Sequence, residues 1–507
     1  MTTDNRWPYR IYGAQQDNST VSIASRSDDG AIGDRDYYSV AGCENATIAV
    51  DPRDPNITYG GCYTGFLSRD DRSTRQTRDV SVWMANYDGW NVGDVPYRFQ
   101  WTFPVFLSPH DPSTLYVTSQ FVHKSTNEGA SWTTISPDLT VHDAKTLGRS
   151  GGPIHGDMTG TEWYATIYAF AESPVTKGVL WAGSDDGLIH VSRDGGGAWD
   201  NVTPRDYGKF TRTAVVEPSH FDAGTMYIAA NRYQQDDFKP YLWKTTDFGK
   251  TWTAINNGIP VGAYTRTIRE DPVRRGLLYA GTETGVYVSM DDGAHWEPLQ
   301  LNLPRSSVRD LTIHGNDLIA ATHGRSFWAI DDISALRQLA DSVTSRAAFL
   351  FQPSTAIRWG SGGYASLTAG QNPRGGAVID FFLKASPAPG TKVTLEFRDA
   401  AGKLIRSYNS EGPEADTSKK SAVDSIAMRA RDAMKDSVVY NAADSVVSAR
   451  AGGNRFIWGM QYPGARQMRN TVTDEGTTDG PIAPPGDYSV RLILGKDTLT
   501  RRFAIVA

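Results

Sequence analysis

Short apolar runs alternate with polar turns along the first two thirds of the chain. Ala46–Val50 runs into Asp51-Pro52, and an aromatic-bearing run, Ile57–Gly61, follows. The pairing recurs: Phe103–Leu107 before Ser108-Pro109 and Leu115–Val117; Thr166–Ala171 before Pro174 and Val179–Gly183; Thr213–Val216 before Glu217-Pro218 and Met226–Ile228; Thr265–Arg269 before Asp271-Pro272 and Leu278–Gly281. Runs this short, bounded by turn residues, predict strands. A proline just past a strand removes no ladder donor. From Pro52 to Pro272 the four steps average 55 residues. A period of ~40–55 residues holding four strands predicts one blade of a β-propeller per repeat.

A second pattern runs in phase with the first. Thr245, Asp247, Gly249, Thr251 and Trp252 define Ser/Thr-x-Asp-x-Gly-x-(Ser/Thr)-Trp. Looser copies are Ser192, Asp194, Gly196 and Trp199, then Ser289, Asp291, Gly293 and Trp296, and a degenerate one is Ser125, Asn127, Gly129 and Trp132. Successive Trp spacings are 67, 53 and 44. The Asp suits a tight turn because it accepts backbone N–H bonds, and the Gly because it takes positive φ. The Trp is expected between sheets. Five repeats carry the strand-Pro pattern. Val308–Trp328 supplies a sixth, and Tyr9–Ala24 a seventh. The expected fold is all-β: a seven-bladed propeller over 1–333, with six blades as the alternative.

Beyond 333 the repeat stops. Asp331–Ala340 predicts a short helix with acids in its first turn, within a helical linker over 334–352. Ala377–Leu383, Val393–Arg398, Asn454–Trp458 and Tyr488–Leu494 predict strands, with turns at Asp399–Gly402 and Pro484–Asp487. Together they predict a small β-sandwich over 353–507. Val423, Ile426, Ala430, Met434 and Val438 fall near helical spacing, so a helical insertion is expected over about 418–450.

Composition narrows the function classes. In 507 residues, Gly 49, Trp 14 and Tyr 23 fit many short strands and tight turns, and argue against a helical bundle. The net charge is −6, unsuited to general nucleic-acid binding. No apolar run reaches the ~18 residues of a membrane span, and the start shows no signal-peptide pattern. Cys43 and Cys62 cannot build a metal cage alone. They fit either one disulfide in an oxidising compartment or two structural thiols. No Gly-x-Ser-x-Gly elbow and no phosphate-binding Gly loop is present, and no cofactor or metal is expected.

Propeller ligands meet the loops where inner strands begin. Those loops are expected to hold Glu44, Arg98, Trp101, His155, Asp157, Glu162, Trp163, Arg212, Arg266 and Arg309. Trp and Tyr stack on sugar faces, Arg holds carboxylates or hydroxyls, and a carboxyl beside an apolar ring can be tuned for proton transfer. The alternative use of these charges is a ring of salt bridges closing the blades. Glycoside hydrolysis needs two carboxylates ~5–9.5 Å apart. Asp157 is the candidate acid, with Glu162 or Glu44 as partner. The three arginines Arg212, Arg266 and Arg309 could instead clamp a carboxylate. Asp194, Asp247 and Asp291 are expected to be structural. His123, His190, His295 and His314 are also expected to be structural, and His323 to serve blade closure.

The Asp motif resembles the Asp-box, or BNR repeat, of sialidases, sortilin-type receptors and xyloglucanase-type glycoside hydrolases. Trp181–Gly196, with Ala320–Trp328, is similar to a large bacterial family of sortilin-like BNR-repeat proteins labelled glycosyl hydrolases. The similarity extends over nearly the whole chain, including Asn454–Trp458 and the Pro-Pro-Gly turn. It implies the second propeller and C-terminal sandwich of a longer, secreted or periplasmic bacterial protein with an upstream propeller. It also implies a polysaccharide or glycoconjugate ligand, or, as in sortilins, a protein or peptide captured without catalysis. The loop His155–Gly160 is loosely similar to the acid-bearing loop of xyloglucanase-type enzymes. The glycine pair and aromatic that follow the acid there are missing here, and the partner base of those enzymes lies on the other propeller.

Overall fold

The computed structural model describes residues 1–44, 47–161, 163–359, 369–411, 444–465 and 480–507. Two compact units share the chain: Met1–Ser25 with Arg35–Ile330, and Arg26–Asp34 with Asp331–Ala507. The boundary near 330 follows the end of the repeat. The excursion Arg26–Asp34, inserted between two strands of the first sheet, was not foreseen.

Among the described residues the first unit holds seven antiparallel sheets in chain order. The fourth is typical: Ile167–Glu172, Leu180–Ser184, Ile189–Ser192 and Asp200–Asn201 pair in sequence order. Six sheets are four-stranded, and the seventh has Val308–His314, Asp317–Thr322 and Phe327–Ile330. The second strands, such as Leu180–Ser184 and Leu278–Thr282, are buried throughout, as expected for sheets covered on both faces. The first and seventh sheets meet: the Tyr9 ring stacks on His314 at 4.0 Å, and its hydroxyl donates to Asp317. A succession of sheets that closes on itself is consistent with a β-propeller.

The repeated turns bind the sheets together. In each one the Ser or Thr hydroxyl bridges the Asp carboxylate, or the Asn127 amide oxygen, and the Gly N–H: Thr245 Oγ1 donates to Asp247 at 2.8 Å and accepts from Gly249 N at 2.9 Å. Asp247 also accepts Thr251 N and Oγ1 at 2.9 and 2.7 Å. Hydrogen bonds, led by that of the Thr251 hydroxyl, hold Asp247 below the ordinary carboxylate range, the wrong direction for a proton donor. The glycines Gly129, Gly196, Gly249 and Gly293 have φ of +79° to +100°. Each Trp reaches the preceding sheet's exit strand. The indoles of Trp132, Trp199, Trp252 and Trp296 donate to the carbonyls of Val80, Ile135, Val202 and Ile255 at 2.5–2.9 Å.

Cys43 and Cys62 form a disulfide with Cα atoms 5.2 Å apart, which decides between the two expectations.

In the second unit a three-stranded sheet (Ala348–Leu350, Ala377–Leu383, Gly452–Trp458) and a five-stranded sheet share one apolar core. The five strands are Ala356–Ile357, Asp497–Val506, Gly486–Leu494, Val393–Asp399 and Leu404–Asn409. Phe397 and Trp458 stack at 4.4 Å in that core. The expected linker helix is two short ones, Ser334–Gln338 and Asp341–Thr344. Of the expected insertion, 418–443 lies outside the described residues, and Asp444–Arg450 is not helical.

Candidate functional site

The inner strands of the fourth to seventh sheets share an irregularity near their starts. Ile167 and Ala169 pair with adjacent residues Ser184 and Gly183, leaving Tyr168 without a cross-strand partner. The same slip leaves out Ala214, Arg266 and Arg309 in the next three sheets. A bulge bends its strand and re-aims one side chain. Four bulges at one level therefore bring Tyr168, Arg266 and Arg309 together, and the fifth sheet adds Arg212 at the first position of its strand.

The contacts form a chain. The Arg212 guanidinium lies 5.0 Å from the Tyr168 ring centre, and Nη1 donates to the Tyr233 hydroxyl at 3.2 Å. Arg266 lies 4.6 and 4.7 Å from the rings of Tyr233 and Tyr264, which stack at 5.1 Å. It donates to Glu283 and the Tyr264 hydroxyl, both at 2.9 Å. Glu283 also accepts the Ser307 hydroxyl at 2.7 Å. Arg309 Nη2 lies 2.7 Å from His323 Nδ1. A guanidinium only donates, so Nδ1 accepts and the imidazole proton belongs on Nε2.

The charges are felt throughout. Burial disfavours the Tyr233 phenolate, but Arg212 and Arg266 outweigh it and hold the phenol below its ordinary range. The Arg309 charge, then desolvation, pushes His323 down. Desolvation and the like charge of Arg266 pull Arg309 itself below its ordinary range. The group can bind an oxyanion by charge-assisted hydrogen bonds and offers aromatic faces beside them.

The remaining expected residues lie in other settings. Arg98 is 3% exposed and donates to Ala165 O, Asp138 and Thr140 at 2.9–3.2 Å; its charge serves the fold. Trp163 is buried against Tyr87, ring centres 5.6 Å apart, in a cluster with Val92, Val95 and Leu147. Trp101 is half-buried. His155 and Asp157 are exposed on one loop, held where Asp157 N donates to Ser150 O at 3.1 Å. Glu44 accepts Asp17 N at 2.5 Å. Glu162 lies outside the described residues. Among the described residues no hydrogen bond or ion pair joins Asp157 or Glu44 to Arg212, Arg266 or Arg309.

Tyr168, Tyr233, Tyr264 and Glu283 were not picked out from the sequence. Their signal was position in the repeat: the bulge level of an inner strand for Tyr168, the residue just before an inner strand for Tyr264, and the turn after the second strand for Tyr233 and Glu283. The neighbouring acids Asp185 and Asp186 also went unremarked. Asp185, fully buried, accepts Thr166 N and Oγ1, both at 2.8 Å, and burial pushes its carboxyl up to about 7. Asp186 accepts Val141 N at 2.8 Å. Both oxygens of Asp185 are thus committed to the frame.

Among the described residues no group of three His, Cys, Asp or Glu could hold a metal, and no helix is long and apolar enough to cross a membrane. A cavity of about 510 Å³ lies apart from the arginines, lined by Tyr38, Asn56, Asp70, Arg72 and Arg75 between the first and second sheets.

The sequence matches no family model and no curated protein. Among solved structures it is similar to the GH74 xyloglucanase from Xanthomonas campestris, at 18% identity over 64% of this chain and 54% of that one, with a TM-score of 0.44. It is similar to YCF48 bound to D1 peptide, at 12% identity, 57% and 77% coverage and a TM-score of 0.37. It is also similar to the extracellular domain of a hybrid two-component system from B. thetaiotaomicron, at 10% identity, 97% and 55% coverage and a TM-score of 0.38. The chain spans about half the length of the first two GH74 structures, 54% and 49%. Likenesses this weak say nothing about chemistry.

Proposed function

We propose that this chain is a glycan-binding, BNR-type propeller of seven blades followed by a β-sandwich, with its ligand seated where the inner strands of the fourth to seventh sheets begin. The observation that carries this reading is the set of aligned bulges. They align Tyr168, Arg266 and Arg309 at one level, where Arg212 and Tyr233 join them by direct contacts. Arginine beside tyrosine suits a polyhydroxylated ligand, which needs both hydrogen bonds and flat apolar faces. The domain limits proposed are those of the two compact units. The Cys43–Cys62 disulfide supports a secreted or periplasmic setting, since such bonds persist in oxidising compartments. An upstream propeller of the same polypeptide completes the site in this reading.

Hydrolysis is the further step of the same proposal, with Asp157 as acid and Glu44 or Glu162 as partner. The test is a panel of polysaccharides and glycoconjugates, screened for both binding and cleavage, with Tyr233→Ala and Asp157→Asn alongside the parent chain. Binding that falls in Tyr233→Ala supports the site. Cleavage lost in Asp157→Asn adds catalysis, and cleavage that persists removes that residue from it. Absence of glycan binding with capture of peptides at the same residues would replace this reading with a non-catalytic sortilin-like scaffold.

A further inference from the structure

We propose that the glycan is acidic, with its carboxylate or sulfate oxyanion received by Arg212 and Arg309. This rests on the glycan reading above. The three arginines do not act alike. Arg266 already has a carboxylate, Glu283, at 2.8 Å, and is 8% exposed. It is neutralised within the frame and is not part of an anion clamp. Arg212 donates to a phenol and Arg309 to an imidazole, and neither has a carboxylate hydrogen-bond partner. Arg212 also interacts electrostatically with the acid Asp185. Both its oxygens are held by Thr166, and its carboxyl, pushed up to about 7, is only partly charged near neutrality.

Two guanidiniums thus stand beside a third with no carboxylate hydrogen-bonded to either, and the acid whose charge Arg309 feels, Glu283, is already paired with Arg266. Like charges in a partly dry site raise its energy, and an incoming oxyanion lowers it again. The Tyr168 ring is 5.0 Å from Arg212, and Arg309 interacts with Tyr168 electrostatically. The Tyr168 ring beside the Arg212 cation gives a sugar face to stack while its acid group turns to a guanidinium.

The experiment is titration calorimetry on the full chain with three probes: oligogalacturonate, a sulfated carrageenan oligosaccharide, and the neutral oligosaccharide made by reducing the galacturonate carboxyls. Arg309 is exposed, so Arg309→Gln leaves the fold intact; Arg212→Gln is the second variant. Lys250→Gln, on an outer turn, controls for net charge. An acidic probe is expected to bind at least ~10-fold more tightly than the neutral one, as one charge-assisted pair supplies. That preference should fall about 10-fold in Arg309→Gln, persist in Lys250→Gln and weaken with salt. The galacturonate and carrageenan arms separate carboxylate from sulfate. Equal binding of acidic and neutral probes, lowered by Tyr233→Ala, overturns this inference and leaves the glycan reading standing. Binding of none of the probes, with none in the wider panel, overturns both.

Discussion

Gly249→Ala tests the claim that the repeated turns lock each sheet to the one before it. Gly249 has φ +82°, and a Cβ placed there would lie 2.6 Å from Val202 Cβ and 2.7 Å from its Cγ2. Val202 is also the residue whose carbonyl accepts the Trp252 indole. An L side chain in the left-handed region costs roughly 1–2 kcal/mol. Overpacking against a partner that cannot retreat adds roughly 1–3 kcal/mol, so the expected loss is about 2–5 kcal/mol. Gly195→Ala is the matched control. Gly195 has φ +75° but nothing within 4 Å of a built Cβ. Its counterparts Glu128, Phe248 and Asp292 hold φ of 58–62° with full side chains, so its loss should stop at about 1 kcal/mol. Urea unfolding followed by tryptophan fluorescence measures both. Equal midpoints for the two variants would refute the locking role.

Other consequences follow from single contacts. Reduction of Cys43–Cys62, 19 residues apart in sequence, should lower stability by about 3 kcal/mol, seen as a lower urea midpoint in reductant. Arg98→Met strands Asp138 without its buried cation and should cost roughly 3 kcal/mol; an unchanged melting temperature would contradict the structural role. Asp185 is pushed up to about 7 by burial. Between pH 4 and 7 the folded state therefore holds a proton that the unfolded state releases, and this group lowers stability as pH rises through that window. Asp185→Asn should remove that dependence and stabilise the chain relative to the parent at pH 8, measured by paired unfolding curves. His123, fully buried and pushed down to about 3 by desolvation, has the opposite sign. It stays neutral while the unfolded state gains a proton below about 6.5, so stability falls as pH drops, and His123→Gln should flatten the acid limb.

The frame was legible because it repeats. Strand-Pro pairs, the Asp-Gly turns and their tryptophans are local signals, and their period fixes the sheets. The structural assignment of Asp194, Asp247 and Asp291 followed from turn chemistry alone. The candidate site was legible only in part. Arg212, Arg266 and Arg309 occur near the starts of the first strands of three successive repeats, the last two at the same bulge position. Arg98 and Trp163 sit at similar loop positions, but their surroundings are buried, and burial between loops is not written in any local window. Tyr233 and Glu283 come from turns 21 and 17 residues from the arginines they meet. The bulges that aim Tyr168, Arg266 and Arg309 add one residue to a pairing register, which a single strand's sequence does not display. Arg26–Asp34 shows the same limit: Ser27 exchanges hydrogen bonds with Asn372 at 2.7 Å across 345 residues.

The most direct test of the account is a crystal structure of the chain with an oligosaccharide from the panel. The account predicts the sugar against Tyr168, Arg212, Tyr233 and Arg309. A sugar seated instead on the exposed Trp83 and Trp90, with Tyr168, Arg212, Tyr233 and Arg309 untouched, would contradict it.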